Sequence, residues 1–367
     1  MKLLTYILIA ISSSTAVAWQ IEPVVTPTDQ KLVRRASIME WIGLTFGDFG
    51  DRVVGDPLHE GIILRAEGCD RDNPADCFKE RSVLVPGLEP LFAGVQWNDN
   101  PPFVLDKKGF KYASGKMAAS RCLNDTIRLP RLPDCWFLAI RDAEKVAETG
   151  KVTASHPILY RSHYGDLQFL HGMAYDGEVA SATRQKMMIW AEFAYKVARG
   201  DIPSTTPLDK VPVPGFPELV VIRDRTVESL FTLGDPAFRG DQAIRLFALG
   251  TLLHMIQDTF SDAHAERGEE GGQCEGTSGM RQPGPLVRFH SYDLQDADKH
   301  KTADSRYSFH NHDLKVGNNA IQVTRNILAM YRNNADWPLV QDYLACVFRL
   351  APGSESAEPD AGFGYEK

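Results

Sequence analysis

Helical periodicity dominates the second half of this 367-residue chain, and strand signals are scarce. The clearest helix covers 181–199, where apolar residues recur every three or four positions before Gly200. The same pattern predicts helices over 135–148, 219–233, 242–258 and 317–331, and over 30–44 and 57–67 in the first half. Prolines, glycines and cysteines interrupt it over about 69–134, which indicates an irregular excursion. The sequence therefore predicts an all-α fold with irregular, disulfide-bearing insertions.

Composition and charge exclude several classes of protein. The hydrophobic and charged fractions, 43% and 24%, are those of an ordinary folded chain and exclude a disordered or collagen-like one. The net charge of -8 argues against a protein that grips nucleic-acid phosphates through a basic surface, although a local basic groove stays open. No run of 18 apolar residues follows the first two dozen positions, so we expect no integral membrane span in the mature protein.

The amino terminus has the pattern of a secretory signal peptide. Lys2 precedes an apolar run over 3–11, and Ala16, Val17 and Ala18 form an A-x-A cleavage site. Cleavage after Ala18 would leave a mature chain that starts at Trp19. We expect a secreted protein, extracellular or periplasmic, with a single domain over 19–350 and a polar tail over 351–367.

Six cysteines in an exported chain indicate disulfides, and fifteen pairings are possible in principle. Close spacing favours Cys69 with Cys77 and Cys122 with Cys135, which leaves Cys274 for Cys346. A set of buried free thiols is the alternative.

The segment 249–267 carries a pattern typical of metal ligands. His254 and Asp258 are four residues apart on a predicted helix, so they share one face and can hold one ion. His264 lies ten residues after His254, a helical rise of about 15 Å, which is too far for one ion unless the helix ends. A second ion is the natural inference, with Asp258 able to bridge. The alternative is an isolated core histidine with two solvated polar residues.

A second pair with the same spacing, His300 and Asp304, favours metal binding. Imidazole nitrogen with carboxylate oxygen suits zinc and does not by itself exclude manganese or iron.

These motifs resemble the zinc-dependent phospholipase C family, which shares an all-α fold with the S1/P1-type nucleases. The spacing of His254, Asp258 and His264 is that of the family's central motif, and an amino-terminal tryptophan is also a ligand in the family. The resemblance implies two to three zinc ions held by nine residues: Trp19, His59, Asp99, His163, His254, Asp258, His264, His300 and Asp304.

Among these enzymes, the segments SHYGDLQFLHGMA, HMIQDTFSDAHAE and FHSYDLQDADKH look closest to the exported bacterial and fungal group that acts on phosphatidylcholine. That likeness implies hydrolysis of phospholipid at a membrane surface to diacylglycerol and a phosphorylated head group, with no nucleic-acid partner. It implies two catalytic residues: Asp258 would bridge ions, and Asp99 would bind an ion and orient or deprotonate the attacking water.

Several alternatives stay open. The intervals from Trp19 to His59 and from Asp99 to His163 are longer than in the smaller phospholipases. His290 competes with His300, and Asp166 and His171 compete with Asp99 and His163 as ligands. The functional alternatives are a single-strand nuclease of the same fold and a non-catalytic exported protein with structural zinc.

Overall fold

The computed structural model describes residues 58–69, 89–106, 108–129, 131–222, 224–235, 238–269, 283–304, 320–359 and 362–364. These residues are mostly helical. In chain order the helices are α1 (Leu58–Ala66), α2 (Glu89–Trp97), α3 (Ser120–Leu123), α4 (Pro133–Thr149), α5 (Ile158–Tyr164), α6 (Ala180–Arg199), α7 (Phe216–Val220), α8 (Val227–Thr232), α9 (Asp241–Asp258), α10 (Ala297–Ala303), α11 (Ala320–Arg332) and α12 (Trp337–Val347).

Short 3-10 helices cover Gln168–His171 and Leu208–Lys210. Two short antiparallel strands, β1 (Ala265–Arg267) and β2 (Leu286–Phe289), form a small sheet in which Ala265 pairs with Phe289.

The predicted helices over 57–67, 135–148, 181–199, 242–258 and 317–331 are confirmed to within a few residues at each end. The helix predicted over 30–44 lies outside the described residues. The single helix predicted over 219–233 is wrong. Val221 has a left-handed φ of 48°, which ends α7, and α8 begins anew after Thr226, whose hydroxyl accepts a hydrogen bond from the Ser229 amide.

The excursion over about 69–134 contains one element that the sequence analysis missed. Helix α2 packs along α9 at very short range, because both helices carry glycine at the contact. A Cβ on Gly94 would lie 2.1 Å from the Phe247 carbonyl oxygen, and a Cβ on Gly250 would lie 2.4 Å from the Leu91 carbonyl oxygen. The pair of glycines therefore lets the two backbones touch, and it fixes where the segment after α2 meets the last turn of α9.

Helix α9 is the centre of the described fold. It contacts α1, α2, α6, α8 and α11, and its residues from Phe247 to Asp258 are all buried. None of the helices in the described residues combines the length and apolar character that crossing a bilayer requires.

The predicted disulfide between Cys122 and Cys135 is confirmed. Cys69 and Cys346 are also disulfide-bonded, while their predicted partners, Cys77 and Cys274, lie outside the described residues.

Part of the predicted polar tail lies against the body. The Gly177 amide donates to the Ala357 carbonyl over 2.7 Å, and the Asp296 amide donates to the Phe363 carbonyl over 2.6 Å.

Candidate metal centre

Histidines and aspartates from six parts of the chain converge at the carboxyl end of α9. Within the described residues they form three groups whose candidate ligand atoms lie within 4.8 Å of one another. The groups are His59 with His254 and Asp258, Asp99 with His171 and His254, and His264 with His300 and Asp304. Each of these groups could hold a metal ion.

The middle of the centre is built on the last turn of α9. The Nε2 atom of His254 lies 2.9 Å from Oδ2 of Asp258, as the spacing of four residues predicts. Nδ1 of His171 lies 3.3 Å from both of these atoms. Asp99 follows α2 directly, and its Oδ1 lies 3.6 Å from His171 and 3.7 Å from His254. Asp99, His171 and His254 thus offer three donor atoms for one ion, and Oδ2 of Asp258 lies beside those of His171 and His254.

His171 reaches this point because the chain turns sharply after it. Gly172 follows the 3-10 helix with a left-handed φ of 59°, and a Cβ there would lie 2.9 Å from the Thr259 amide nitrogen. Only glycine allows this close approach to the residue after Asp258.

The group of His264, His300 and Asp304 depends on the end of α9 at Asp258. The chain turns over 259–264 before β1, so His264 returns to place Nδ1 within 3.5 Å of Oδ2 of Asp258. Its Nε2 lies 3.0 Å from Oδ2 of Asp304 and 3.1 Å from Nε2 of His300. His300 and Asp304 are 2.8 Å apart between Nε2 and Oδ2. Because α9 ends at Asp258, His264 lies close to Asp258 although ten residues separate it from His254.

The group of His59, His254 and Asp258 involves the other oxygen of Asp258, Oδ1. Nε2 of His59, from α1, lies 3.2 Å from Oδ1 of Asp258, and its ring centroid lies 4.0 Å from that of His254. The two oxygens of Asp258 thus face different groups, which is the arrangement a bridging carboxylate needs.

Four of the histidines have their second ring nitrogen fixed by an oxygen atom. Nδ1 of His254 donates to the Val95 carbonyl over 2.6 Å, and Nδ1 of His264 donates to the His171 carbonyl over 2.6 Å. The side-chain oxygens of Gln257 and Gln295 accept from Nδ1 of His59 and His300. Because carbonyl and amide oxygens can only accept, these contacts fix Nδ1 of each ring as the donor and leave Nε2 directed toward the carboxylates.

Burial and charge together set the protonation of the centre. Burial lowers the pKa of His254 to about 3 and also lowers that of His171 and His300, so these rings are neutral. Burial would raise the pKa of Asp258, but His254 and His264 outweigh it and hold that pKa well below the ordinary value.

Two residues in the centre, Asp99 and His264, have raised pKa values. Burial and the charge of Asp258 raise the pKa of Asp99 well above its ordinary value. Burial would lower the pKa of His264, but the carboxylates of Asp304 and Asp258 outweigh burial and raise it to about 10. In the metal-free centre, His264 therefore carries a proton at neutral pH.

The described residues bring together seven of the predicted ligands: His59, Asp99, His254, Asp258, His264, His300 and Asp304. Trp19 lies outside the described residues. His163 is buried but belongs to none of the three groups; its ring centroid lies 5.1 Å from that of His171, which occupies the place expected of it.

Of the competing candidates, His171 lies in the centre, whereas Asp166 and His290 have other contacts. Asp166 forms two hydrogen bonds with Arg161, of 2.9 and 2.7 Å, and Nδ1 of His290 lies 3.2 Å from the Ala263 carbonyl.

The sequence analysis also missed Tyr292, whose ring stacks on His300 with a centroid distance of 5.2 Å and an interplanar angle of 16°. The same ring meets His171 and His264 edge-on at 5.8 and 5.9 Å. No spacing in the sequence points to this tyrosine.

Comparisons of the chain with protein-family models, with curated proteins and with solved structures find no match.

Proposed function

We propose that this protein is a secreted zinc-dependent phosphodiesterase that cleaves phospholipids, with phosphatidylcholine as the leading substrate. The observation that carries the proposal is the pair of histidine and aspartate groups on the two sides of Asp258, with four histidine tautomers fixed by oxygen acceptors. A buried cluster of this kind without an ion would hold several polar groups at a cost in stability, so binding of metal is its natural role.

The distances between donor atoms support zinc. Ligands at 2.0–2.1 Å around a tetrahedral ion stand about 3.3 Å apart. The three edges of the group of His264, His300 and Asp304 measure 3.1, 3.0 and 2.8 Å. Among Asp99, His171, His254 and Asp258, the five distances other than that between the two aspartates measure between 2.9 and 3.7 Å. Both sets could close on an ion with small side-chain movements.

We assign two ions to these sets and a third to His59 with Oδ1 of Asp258. His254 belongs to two of the groups, but its Nδ1 is engaged by Val95, so its single Nε2 can serve only one ion. The site at His59 then needs a further donor. The resemblance described above supplies the amino group of Trp19, whose ordinary pKa of about 7.7 to 8.0 makes displacement of its proton easy.

Zinc bound in these sites would stabilise the charge on a phosphodiester and lower the pKa of a bound water toward neutral. The residues of the chain hold and orient this chemistry. Asp258 would join two sites through its two oxygens. His264, whose Nδ1 lies 3.5 Å from Oδ2 of Asp258, would connect the site of His300 and Asp304 to them. In our proposal, Asp99 binds an ion as a carboxylate and orients or accepts the proton of the attacking water.

A single-strand nuclease of the same fold is the second candidate. The net charge of -8 disfavours a polyanionic substrate, and the segments around His163, His254 and His300 are more similar to lipid-cleaving enzymes. A non-catalytic zinc protein is the third candidate. It is disfavoured because structural sites are closed by four protein ligands, whereas the group of His264, His300 and Asp304 offers three within the described part of the chain.

The test uses the purified mature protein. We expect two to three zinc ions per chain, release of phosphocholine from phosphatidylcholine, and no comparable digestion of single-stranded DNA. Chelation should abolish release, and added zinc should restore it. Asp258→Asn and His254→Ala should lose at least about 99% of activity, because loss of a metal ligand empties or distorts the centre.

The matched control is His156→Ala, which removes a half-buried histidine that contacts Thr153 away from the centre. It should retain zinc and activity. Full activity in metal-free protein would overturn the proposal, and zinc-dependent digestion of DNA without lipid cleavage would favour the nuclease.

A further inference from the structure

One segment of this acidic chain is strongly basic. Residues 108–121 carry three lysines, one arginine and no acidic residue, whereas the whole chain has a net charge of -8. We call these residues the basic hairpin. They follow the segment that bears Asp99, but they contain none of the candidate metal ligands.

The basic hairpin has a defined backbone. The Tyr112 amide donates to the Lys116 carbonyl over 2.9 Å, and the Ala118 amide donates to the Phe110 carbonyl over 2.9 Å. The turn between these two paired segments closes at Gly115, whose left-handed φ of 81° favours glycine.

The inner side of the basic hairpin is anchored on the helical body. Tyr112 is buried, and the Ala113 amide donates to Oδ1 of Asp142 on α4 over 2.6 Å. Phe110 packs edge-on against Tyr112 and Tyr160, with centroid distances of 5.4 and 6.3 Å. The neighbouring disulfide from Cys122 reaches α4 as well. The outer side is therefore a fixed surface.

That outer side presents cations and an apolar side chain together. Lys108, Lys111 and Lys116 are exposed, and no ion pair connects them to an acidic residue within the described part of the chain. Met117, next to Lys116, is 59% exposed and adds an apolar side chain to this surface.

We propose that the basic hairpin binds the surface of a lipid bilayer that contains anionic lipids. Each lysine near such a surface is attracted by its negative potential, and the methionine can enter the interface between head groups and acyl chains. A nucleic acid is the less favoured partner. Binding of single strands typically uses exposed aromatic rings for base stacking, and the aromatic residues of this hairpin are turned toward α4 and α5.

The proposal is independent of the chemistry proposed above, because binding can be measured without hydrolysis. The full mature protein is sedimented with vesicles of pure phosphatidylcholine and with vesicles containing about 30 mol % phosphatidylglycerol. Phosphocholine in the supernatant is measured in the same tubes, so that lipid cleavage is separated from weak binding. We expect binding to the anionic vesicles, weak binding to the neutral ones, and a strong decrease when salt is raised from about 0.05 M to about 0.3 M.

Two pairs of substitutions with the same charge change localise the effect. Lys111→Gln with Lys116→Gln should weaken binding by roughly 25-fold, about fivefold for each lysine. Lys196→Gln with Lys210→Gln removes two charges from other parts of the chain and should change binding by less than about threefold.

Met117→Ser tests the apolar contribution. It should weaken binding several-fold, whereas Leu339→Ser, at a side chain that is 41% exposed on α12, should not.

Three results would overturn the proposal: equal loss in the two lysine pairs, no binding of the unmodified protein to anionic vesicles, or tighter binding of a single-stranded RNA through the same lysines. An inactive enzyme that still binds anionic vesicles through Lys111 and Lys116 would leave this proposal standing and refute only the proposed function.

Discussion

The Nδ1 atom of His59 lies 2.9 Å from Oε1 of Gln257, the residue directly before Asp258 on the last turn of α9. The amide of the same glutamine donates to the hydroxyl of Thr324 on α11 over 3.1 Å. Gln257 therefore orients the histidine of one helix through a contact with a third helix. This arrangement leaves Nε2 of His59 facing Oδ1 of Asp258 at 3.2 Å.

We predict that Gln257→Leu weakens zinc binding at the site of His59 without emptying the others. Loss of an outer partner typically lowers metal affinity by about 10- to 100-fold, because the ligand loses its orientation. Competition with a chelator should show one weaker ion per chain. Gln322→Leu is the control, since Gln322 bonds to Asn326 on α11 rather than to a metal-site histidine. Unchanged affinity of all ions in Gln257→Leu would contradict the orienting role.

Two buried histidines eight residues apart provide a second prediction. His171 contributes Nδ1 to the group with Asp99 and His254, while Nδ1 of His163 lies 2.7 Å from the hydroxyl of Ser162. We expect His171→Ala to lose about one zinc ion and nearly all hydrolysis. His163→Ala leaves a buried cavity and should cost about 1–3 kcal/mol of stability while keeping the zinc content. Zinc analysis of both variants decides between them, and the reverse result would restore His163 as the ligand.

The close contact of α2 with α9 leads to a prediction on packing. Gly250→Ala would place a Cβ 2.4 Å from the Leu91 carbonyl oxygen and 2.6 Å from the Val95 amide nitrogen, so the helices must move apart. Overpacking of this kind typically costs about 1–3 kcal/mol. The same movement would draw the Val95 carbonyl away from His254 and weaken zinc binding.

Urea unfolding and zinc content of Gly250→Ala test this effect. Gly150→Ala is the control, because its nearest atom beyond the neighbouring residues would be 3.7 Å away and its φ of -170° is extended backbone. Equal stability of the two variants would show that the helices adjust without cost.

Periodicity and spacing predicted the parts of the centre that depend on one helix. His254 and Asp258 share a face of α9, and their contact follows from four residues of separation. The choice between His163 and His171 could not be made in this way. It depends on the turn at Gly172, whose approach to Thr259 is a tertiary contact with no local pattern. Helix α2 was missed because it is short and carries Gly94 in its interior, while its stability comes from packing against α9.

The raised pKa of His264 leads to a prediction on alkaline pH for the metal-free protein. Burial would lower this pKa, but Asp304 and Asp258 raise it to about 10, whereas the unfolded value is about 6.5. The folded state therefore holds a proton that the unfolded state releases above about pH 6.5. The resulting stability is fully present below that pH and is lost as pH rises through about 10.

Asp99 acts with the same sign, because burial and Asp258 raise its pKa above the unfolded value. His254 does not contribute in this range, since its pKa of about 3 affects stability only below about pH 6.5. We therefore expect the free energy of unfolding of chelator-treated protein, measured in urea, to fall between about pH 7 and about pH 9.5.

Zinc-loaded protein should show a smaller change, because the ion takes the place of the proton on His264. Asp304→Asn removes the nearest carboxylate and should also flatten the profile of the metal-free protein. A metal-free protein whose unfolding free energy does not change over this range would show that His264 is already neutral at pH 7. The charge balance inferred for the centre without its ions would then be wrong.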